Sequence, residues 1–249
     1  MINILLYGYN EINSISRGMG YYGFDWTYIL VLIGALLSAV ASSRVKSAFA
    51  KYSKVPARCG ATSDEIAQRI LNHAGVYDVS VERIRGNLTD HFDPSAMVLR
   101  LSDSVYGSHS IAAIAVAAHE CGHAIQKNEE YFPMKVRSAF VGVANFGSRA
   151  GVPILIGGLF LGLQPFITLG IILFSCGFLF HVITLPVEFD ASRRALEQLD
   201  EMGIFNEEEK HAGRQVLSAA ALTYVASAAA ALLSLLRLII RFGGNRRRN

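Results

Sequence analysis

Ile111-Ala-Ala-Ile-Ala-Val-Ala-Ala-His119-Glu120-Cys121-Gly122-His123 is an apolar run that ends on two histidines and a glutamate, and its reading decides the fold. Residues 110 to 128 are rich in alanine and isoleucine, lack proline and hold a single glycine, so a helix is expected there. Positions i and i+4 share a helix face, so His119 and His123 can present imidazole nitrogens to one ion about 2.0–2.1 Å away. Glu120 projects beside that pair rather than between its members, which suits a general base that takes a proton from a zinc-activated water without filling a ligand position. The flanks are too apolar for a solvated surface helix. The chemistry implied is hydrolysis assisted by one Zn2+ ion.

Two histidines do not make a catalytic zinc site, which normally has three protein ligands. Downstream of His123 only His181 and His211 remain, and neither follows at the short spacing of the longer helix-turn zinc motif. A carboxylate is the better source. Glu188, in Leu185-Pro-Val-Glu-Phe-Asp-Ala-Ser-Arg-Arg194, lies at the end of an apolar segment and is expected to open a new helix after a break at Pro186. Its competing role is that of a helix N-terminal carboxylate facing the dipole. Glu129 and Glu130 are too close to His123 to fold back.

Composition places this chemistry at a membrane. Of 249 residues, 52% are hydrophobic and 17% charged, with mean hydropathy +0.34, too apolar for an ordinary soluble enzyme of this size. A first transmembrane helix is expected at 26–42, preceded by Tyr21, Tyr22, Phe24 and Trp26 as an interfacial belt and followed by Arg44, Lys46, Lys51, Lys54 and Arg58. Those cations put the following residues in the cytoplasm and residues 1–25 outside. The opening Met-Ile-Asn-Ile-Leu-Leu has no basic n-region, so no removable signal peptide is read.

Residues 43–135 form the only long polar stretch and are expected to fold as a cytoplasmic catalytic domain around the zinc helix 110–128. Thr62-x-x-Glu65 reads as a capping box before an amphipathic helix stopped by Gly75. Val79–Ile84 and Ala96–Ser102 read as strands, and a sheet edge could hold an extended peptide by strand addition. Two more spans are expected at 139–163 and 166–187, joined by a hairpin at Gln164-Pro165. Gly158-x-x-x-Gly162 permits close helix approach, and Arg149 inside the first of these spans is read as snorkelling to the interface. A hairpin that starts and ends in the cytoplasm delivers Glu188 to the cytoplasmic membrane face, at the head of a cytoplasmic helix 188–216. The segment 217–240 is apolar and either spans or is buried, because Arg237 lies inside it, and 241–249 is a basic tail suited to anionic lipid rather than nucleic acid.

Several blocks together resemble one family: Asn87-Leu-Thr-Asp-His-Phe-Asp-Pro94, Leu99-Arg-Leu-Ser102, Ala117-Ala-His-Glu-Cys-Gly-His-Ala-Ile-Gln126, Thr184-Leu-Pro-Val-Glu-Phe-Asp-Ala-Ser-Arg-Arg-Ala-Leu196 and Ala219-Ala-Ala-Leu-Thr-Tyr-Val-Ala226. In order, they are similar to the YugP-type membrane zinc metallopeptidases, from about residue 25 to residue 240. The resemblance implies a zinc endopeptidase of the cell membrane with His119 and His123 as ligands and Glu120 as the catalytic carboxylate. A wider resemblance joins the chain to the HtpX and CAAX-prenyl protease gluzincins, in which an aspartate four residues beyond the glutamate ligand supports the first histidine. Here that position is Ser192, with Asp190 two residues along, and helical phase favours Ser192. The fold class expected is a mainly α membrane protein, an α-helical membrane bundle carrying a small α+β zincin-like catalytic domain.

The remaining polar residues are read as structural. His91 with Asp90 and Asp93 is expected to cap the turn before Pro94, and Ser108, His109 and Ser110 to cap the zinc helix. His211 and Tyr224 are possible donors to a tetrahedral oxyanion, with solvated or structural roles favoured for both. Cys59, Cys121 and Cys176 are odd in number and scattered, without a disulfide framework, and Cys121 points off the ligand face. No nucleophile elbow or phosphate loop is present. Two functions follow: a multi-pass zinc endopeptidase acting on membrane-embedded or membrane-adjacent polypeptides, or a zinc-containing membrane scaffold or chaperone-like adaptor without protease activity.

Overall fold

The structure is a computed structural model that describes residues 25–243; the N-terminal segment before Asp25 and the tail cations Arg246 to Arg248 lie outside the described residues. Its elements in chain order are α1 (Tyr28–Tyr52), α2 (Ser63–His73), β1 (Ser80–Ile84), β2 (His91–Asp93), β3 (Val98–Ser102), α3 (Ile111–Asn128), α4 (Phe132–Leu161), α5 (Gln164–Glu201) and α6 (Glu207–Phe242). Among the described residues four helices, α1, α4, α5 and α6, are long and apolar enough to cross a membrane. The protein is a mainly α membrane protein with one small three-stranded sheet.

The polar stretch folds as its local signals require. Thr62 Oγ1 accepts from the Glu65 amide at 3.4 Å while the Glu65 carboxylate accepts from the Thr62 amide at 3.1 Å, a complete capping box at the head of α2. Gly75, at φ +73°, turns the chain out of that helix. Ile66, Ile70 and Leu71 on α2 are fully buried against α3 and join Leu99 and Leu101 of β3 in one apolar core. The sheet order is β1-β3-β2, with β1 parallel and β2 antiparallel to β3. Strand β2 was not legible as a strand, because Asp93-Pro94 reads as a turn; it is only three residues long and is held by Phe92 packing toward α3. Ser110 caps α3, its hydroxyl accepting from the Ala113 amide at 3.2 Å.

Three boundaries differ from expectation. Helix α1 continues well past residue 42 to Tyr52, because nothing breaks it before Pro56, and the Tyr52 hydroxyl donates to Gln215 at 2.7 Å; Arg44, Lys46 and Lys51 therefore ride on its exposed faces. No break occurs at Pro186, which sits inside α5, so residues 188–216 are not one helix but the end of α5, a turn at Gly203 and the start of α6. Proline inside a helix costs about 3 kcal/mol, and the fully buried stripe Val187, Ala191, Ala195 and Leu199 offsets it by packing. The segment 217–240 is the body of α6.

Helices α4 and α5 form the expected hairpin, closed by Gly162 at φ +66°. Gly158 is a close-approach site, where a Cβ would meet the Ile167 amide at 2.7 Å, whereas Gly162 has nothing within 4 Å and serves the turn alone. Arg149 is exposed on α4. Along α5 from Gln164 at the hairpin to Glu188 the axis advances about 36 Å, slightly more than the roughly 30 Å hydrocarbon core. That length is enough to cross it.

The tightest junction joins α3 to α5. A Cβ on Gly122 would lie 2.5 Å from the Ala191 carbonyl oxygen and 3.0 Å from its Cα. Gly122→Ala should push the helices apart and destabilise the fold by about 1–3 kcal/mol. Thermal unfolding in detergent checks this against Gly157→Ala, where nothing lies within 4 Å and no loss is expected.

Candidate metal centre

The junction of α3 and α5 brings together His119, His123 and Glu188, the one group of this kind among the described residues, with ligand atoms all within 4.8 Å of one another. Glu188 Oε2 lies 3.3 Å from His119 Nε2 and 3.5 Å from His123 Nε2. The two rings stand edge-on at 4.8 Å between centroids. Glu188 is 2% exposed, and its Oε2 is buried without a hydrogen-bond partner. A buried carboxylate oxygen left in this state is costly, and a cation placed among the two imidazole nitrogens and that oxygen satisfies all three. The donor set, two imidazoles and one carboxylate, is one that zinc accepts in catalytic sites.

Each histidine is oriented through its other nitrogen. Ser192 Oγ lies 3.1 Å from His119 Nδ1, one helical turn beyond Glu188 on the same face of α5. His123 Nδ1 lies 3.1 Å from Gln126 Oε1. The Gln126 amide nitrogen donates to the Val187 carbonyl at 2.8 Å and to Asp190 Oδ2 at 2.9 Å, both pure acceptors, so the amide orientation is fixed. Its Oε1 can only accept. His123 therefore carries its proton on Nδ1 and turns the Nε2 lone pair toward Glu188. Asp190 acts on His123 through Gln126 and is itself held by Arg193 and by Arg194 at 2.5 Å. Burial disfavours a charged His123, yet the Glu188 and Glu120 carboxylates outweigh it and raise its pKa above the ordinary value.

Gln126 escaped the sequence reading. Its signal was its place three residues after His123 on the same helix face, but an amide carries no charge or ligand chemistry to mark it.

Glu120 is nearly buried and opens on a cavity of about 400 Å³ that it shares with His123, Glu188, Arg137, Phe180 and Tyr224. One of its oxygens accepts from the Phe92 amide at 3.0 Å, so the outward N–H of edge strand β2 faces the cavity. Arg137 Nη1 is 3.7 Å from Glu188 Oε1. Of the two possible oxyanion donors, Tyr224 lines the cavity, whereas His211 is bonded to Gln215 at 2.8 Å and does not. Asp90 and His91 also line it; Asp93 accepts from the Ser95 and Ala96 amides and caps the turn at Pro94, whereas Asp90 accepts from the Ser102 amide at 2.7 Å on β3 and so ties the sheet rather than the turn. Burial pushes the Asp90 carboxyl up. The Cys121 thiol faces the Ala67 carbonyl at 3.5 Å, and burial raises its pKa well above the ordinary value, so it stays off the ligand face. Glu129 and Glu130 pair with Arg194 and Lys135.

Residues 27–243 match the family described as "Putative neutral zinc metallopeptidase". A Bacillus subtilis (strain 168) protein named "Putative membrane protease YugP" is 48% identical over 223 residues, covering 89% of this chain and 99% of that protein. No solved structure matches.

If Ser192 and Gln126 orient the histidines as this geometry implies, Ser192→Ala and Gln126→Ala should each weaken zinc binding about 10- to 100-fold. Chelator competition followed by metal analysis measures it, and unchanged affinity in both would remove their orienting role.

Proposed function

The chain belongs to this family of zinc metallopeptidases, and from that membership together with the His119–His123–Glu188 group we propose that it is an integral-membrane zinc endopeptidase acting on membrane-embedded or membrane-adjacent polypeptides. The observation that carries the reading is the buried, unpartnered Glu188 oxygen aimed between two oriented imidazoles. His119, His123 and Glu188 would hold one zinc ion, which when bound polarises a carbonyl and acidifies water.

The chain's own residues supply the rest. Glu120 is not needed as a ligand, so its carboxylate is available to take a proton as water oxygen attacks the scissile carbonyl carbon. When the C–N bond breaks, Glu120 delivers that proton to the departing amine nitrogen. Tyr224 and Arg137, which line the same cavity, would donate to the oxygen on which negative charge develops. Strand β2 is an edge strand that borders the cavity, and a peptide added along it would have to take the Phe92 N–H from Glu120.

Substrates should reach the cavity from the bilayer. Its walls include Ser138, Val141, Phe180 and Tyr224, all on helices apolar enough to span, so the cut occurs where those helices meet the polar domain. The cations Arg44, Lys46, Lys51, Lys54 and Arg58 favour a cytoplasmic side for that domain by the positive-inside rule. A purely structural zinc would need a fourth protein ligand, and the group contains three.

The test is metal analysis and cleavage of an unfolded protein substrate by the detergent-purified chain. Glu120→Gln should keep its zinc and lose activity by about 10²- to 10⁴-fold; equal cleavage by the variant would overturn the role of Glu120. Tyr224→Phe should lower kcat by about 10²-fold or more with KM little changed, and an unaffected kcat removes it from the oxyanion site.

A further inference from the structure

Ser138 lies on the wall of the cavity that holds Glu120, and from it a line of exposed positions runs along α4 away from the polar domain. Ser138, Gly142, Asn145 and Arg149 follow one another at alternating steps of four and three residues, so all four share one face of the helix. Past Arg149 the same face continues to Val152 and Ile156, exposed apolar side chains on the wall of a second cavity, of about 620 Å³, bordered by α4 and α6. The opposite face of α4 is the packed one. Gly147, Gly151 and Gly158 are buried there, and a Cβ on any of them would run into α5, whereas a Cβ on Gly142 would have nothing within 4 Å.

Arg149 is not an ordinary surface charge. Helix α4 is long and apolar enough to cross a membrane, and from Ser138 to Arg149 its axis advances about 16 Å, half of the roughly 30 Å hydrocarbon core. Among the described residues neither Asn145 nor Arg149 has a hydrogen-bond or ion-pair partner. A guanidinium turned toward lipid tails at that depth is costly. Snorkelling would carry its charge toward the boundary but would leave the Asn145 amide on the same face without a partner. A group that meets both must bring polar acceptors into the bilayer, and a carboxylate is the strongest acceptor for a guanidinium. This chain does not supply one: residues 28–52, 139–187 and 210–242 contain no Asp or Glu, so a second copy packed on the same helices offers no carboxylate at that depth.

We propose that this face of α4 docks a transmembrane helix of the polypeptide to be cut, with an Asp or Glu of that helix against Arg149, an inference that rests on the endopeptidase function above. Charge complementarity identifies the occupant. Continuity identifies its role, since the face begins at Ser138 on the wall of the catalytic cavity. Gly142 lets the two backbones approach, and the Asn145 amide can both donate to and accept from a docked helix. The register set by Arg149 puts the acidic residue about 16 Å, or about 11 helical residues, from the segment that unwinds in the cavity.

The full chain carrying Glu120→Gln, reconstituted in lipid nanodiscs, is titrated with a synthetic Leu/Ala transmembrane peptide bearing Asp, Leu or Lys at its centre, and energy transfer between dyes on the two reads binding. The Asp peptide should bind about tenfold more tightly than the Leu peptide. Arg149→Leu should abolish that preference, and Arg149→Glu should transfer it to the Lys peptide, an inversion that a merely structural role of Arg149 does not produce. Gly142→Trp, which obstructs the face without changing charge, should weaken binding of the Asp peptide about tenfold. Monodisperse elution and an unchanged melting temperature show that each variant is folded. Equal binding of the Asp and Leu peptides, a preference that survives Arg149→Leu, or Arg149-dependent pairing of two copies of the chain in place of the peptide each overturns the proposal. Cleavage of an unfolded soluble protein by the wild-type chain is measured separately. If wild type cuts nothing while the Asp preference holds, the endopeptidase function is refuted and the docking face stands; if it cuts and the preference is absent, the docking face alone is refuted.

Discussion

Everything at the candidate metal centre depends on how closely α3 approaches α5. Gly122 meets the Ala191 backbone with no room for a side chain, and the neighbours of these two residues are the working groups. His123 follows Gly122, His119 lies one turn before, and Gln126 one turn after. On the other helix Glu188 precedes Ala191 by three residues, while Asp190 and Ser192 flank it. Two helices in close contact thus bring a carboxylate, two imidazoles and their orienting partners into register. A separation larger by one methyl group would lengthen each of these contacts together.

That geometry explains how Pro186 can be tolerated. The ring removes a backbone donor two residues before Glu188, at the point where α5 leaves the apolar region. An isolated helix would break there. Here the stripe beyond it is buried against α3, and the Val187 carbonyl is bonded by Gln126. The same amide that orients His123 therefore also ties down the helix that carries Glu188, so the second half of α5 is fixed by the metal-site network and not by backbone continuity alone.

What the sequence made legible follows from this physics. The pair His119 and His123 with Glu120 was readable because i and i+4 define a face, and Ser192 because it repeats that spacing from Glu188; the structure sets Ser192 against His119. The capping box at Thr62 and the long apolar helices were readable because each depends on a few adjacent residues or on bulk hydrophobicity. Strand β2 was not, since three residues cannot show a period of two and their stability comes from Phe92 and the Leu99 ladder. The continuity of α5 was not, since propensity at Pro186 is local and the packing that overrides it is tertiary. Gln126 was not, since the value of a neutral amide lies wholly in what it touches.

The two cavities raise a further point about the bundle. Both border α4 and α6, one toward each end of the bundle. Helices α4 and α6 each pack along α5, so the openings between them are left at the ends of a shared support. In water the apolar walls of such gaps would be driven together, because closing them removes apolar surface from solvent. In a bilayer that force is absent, since hydrocarbon fills a gap as readily as a side chain does. Lateral openings that a soluble protease could not keep are therefore compatible with a stable membrane fold. The candidate metal-binding group is held through α3 and α5 while the flanking helices α4 and α6 stay apart, so rigidity of the group and the openings beside it come from different pairs of helices.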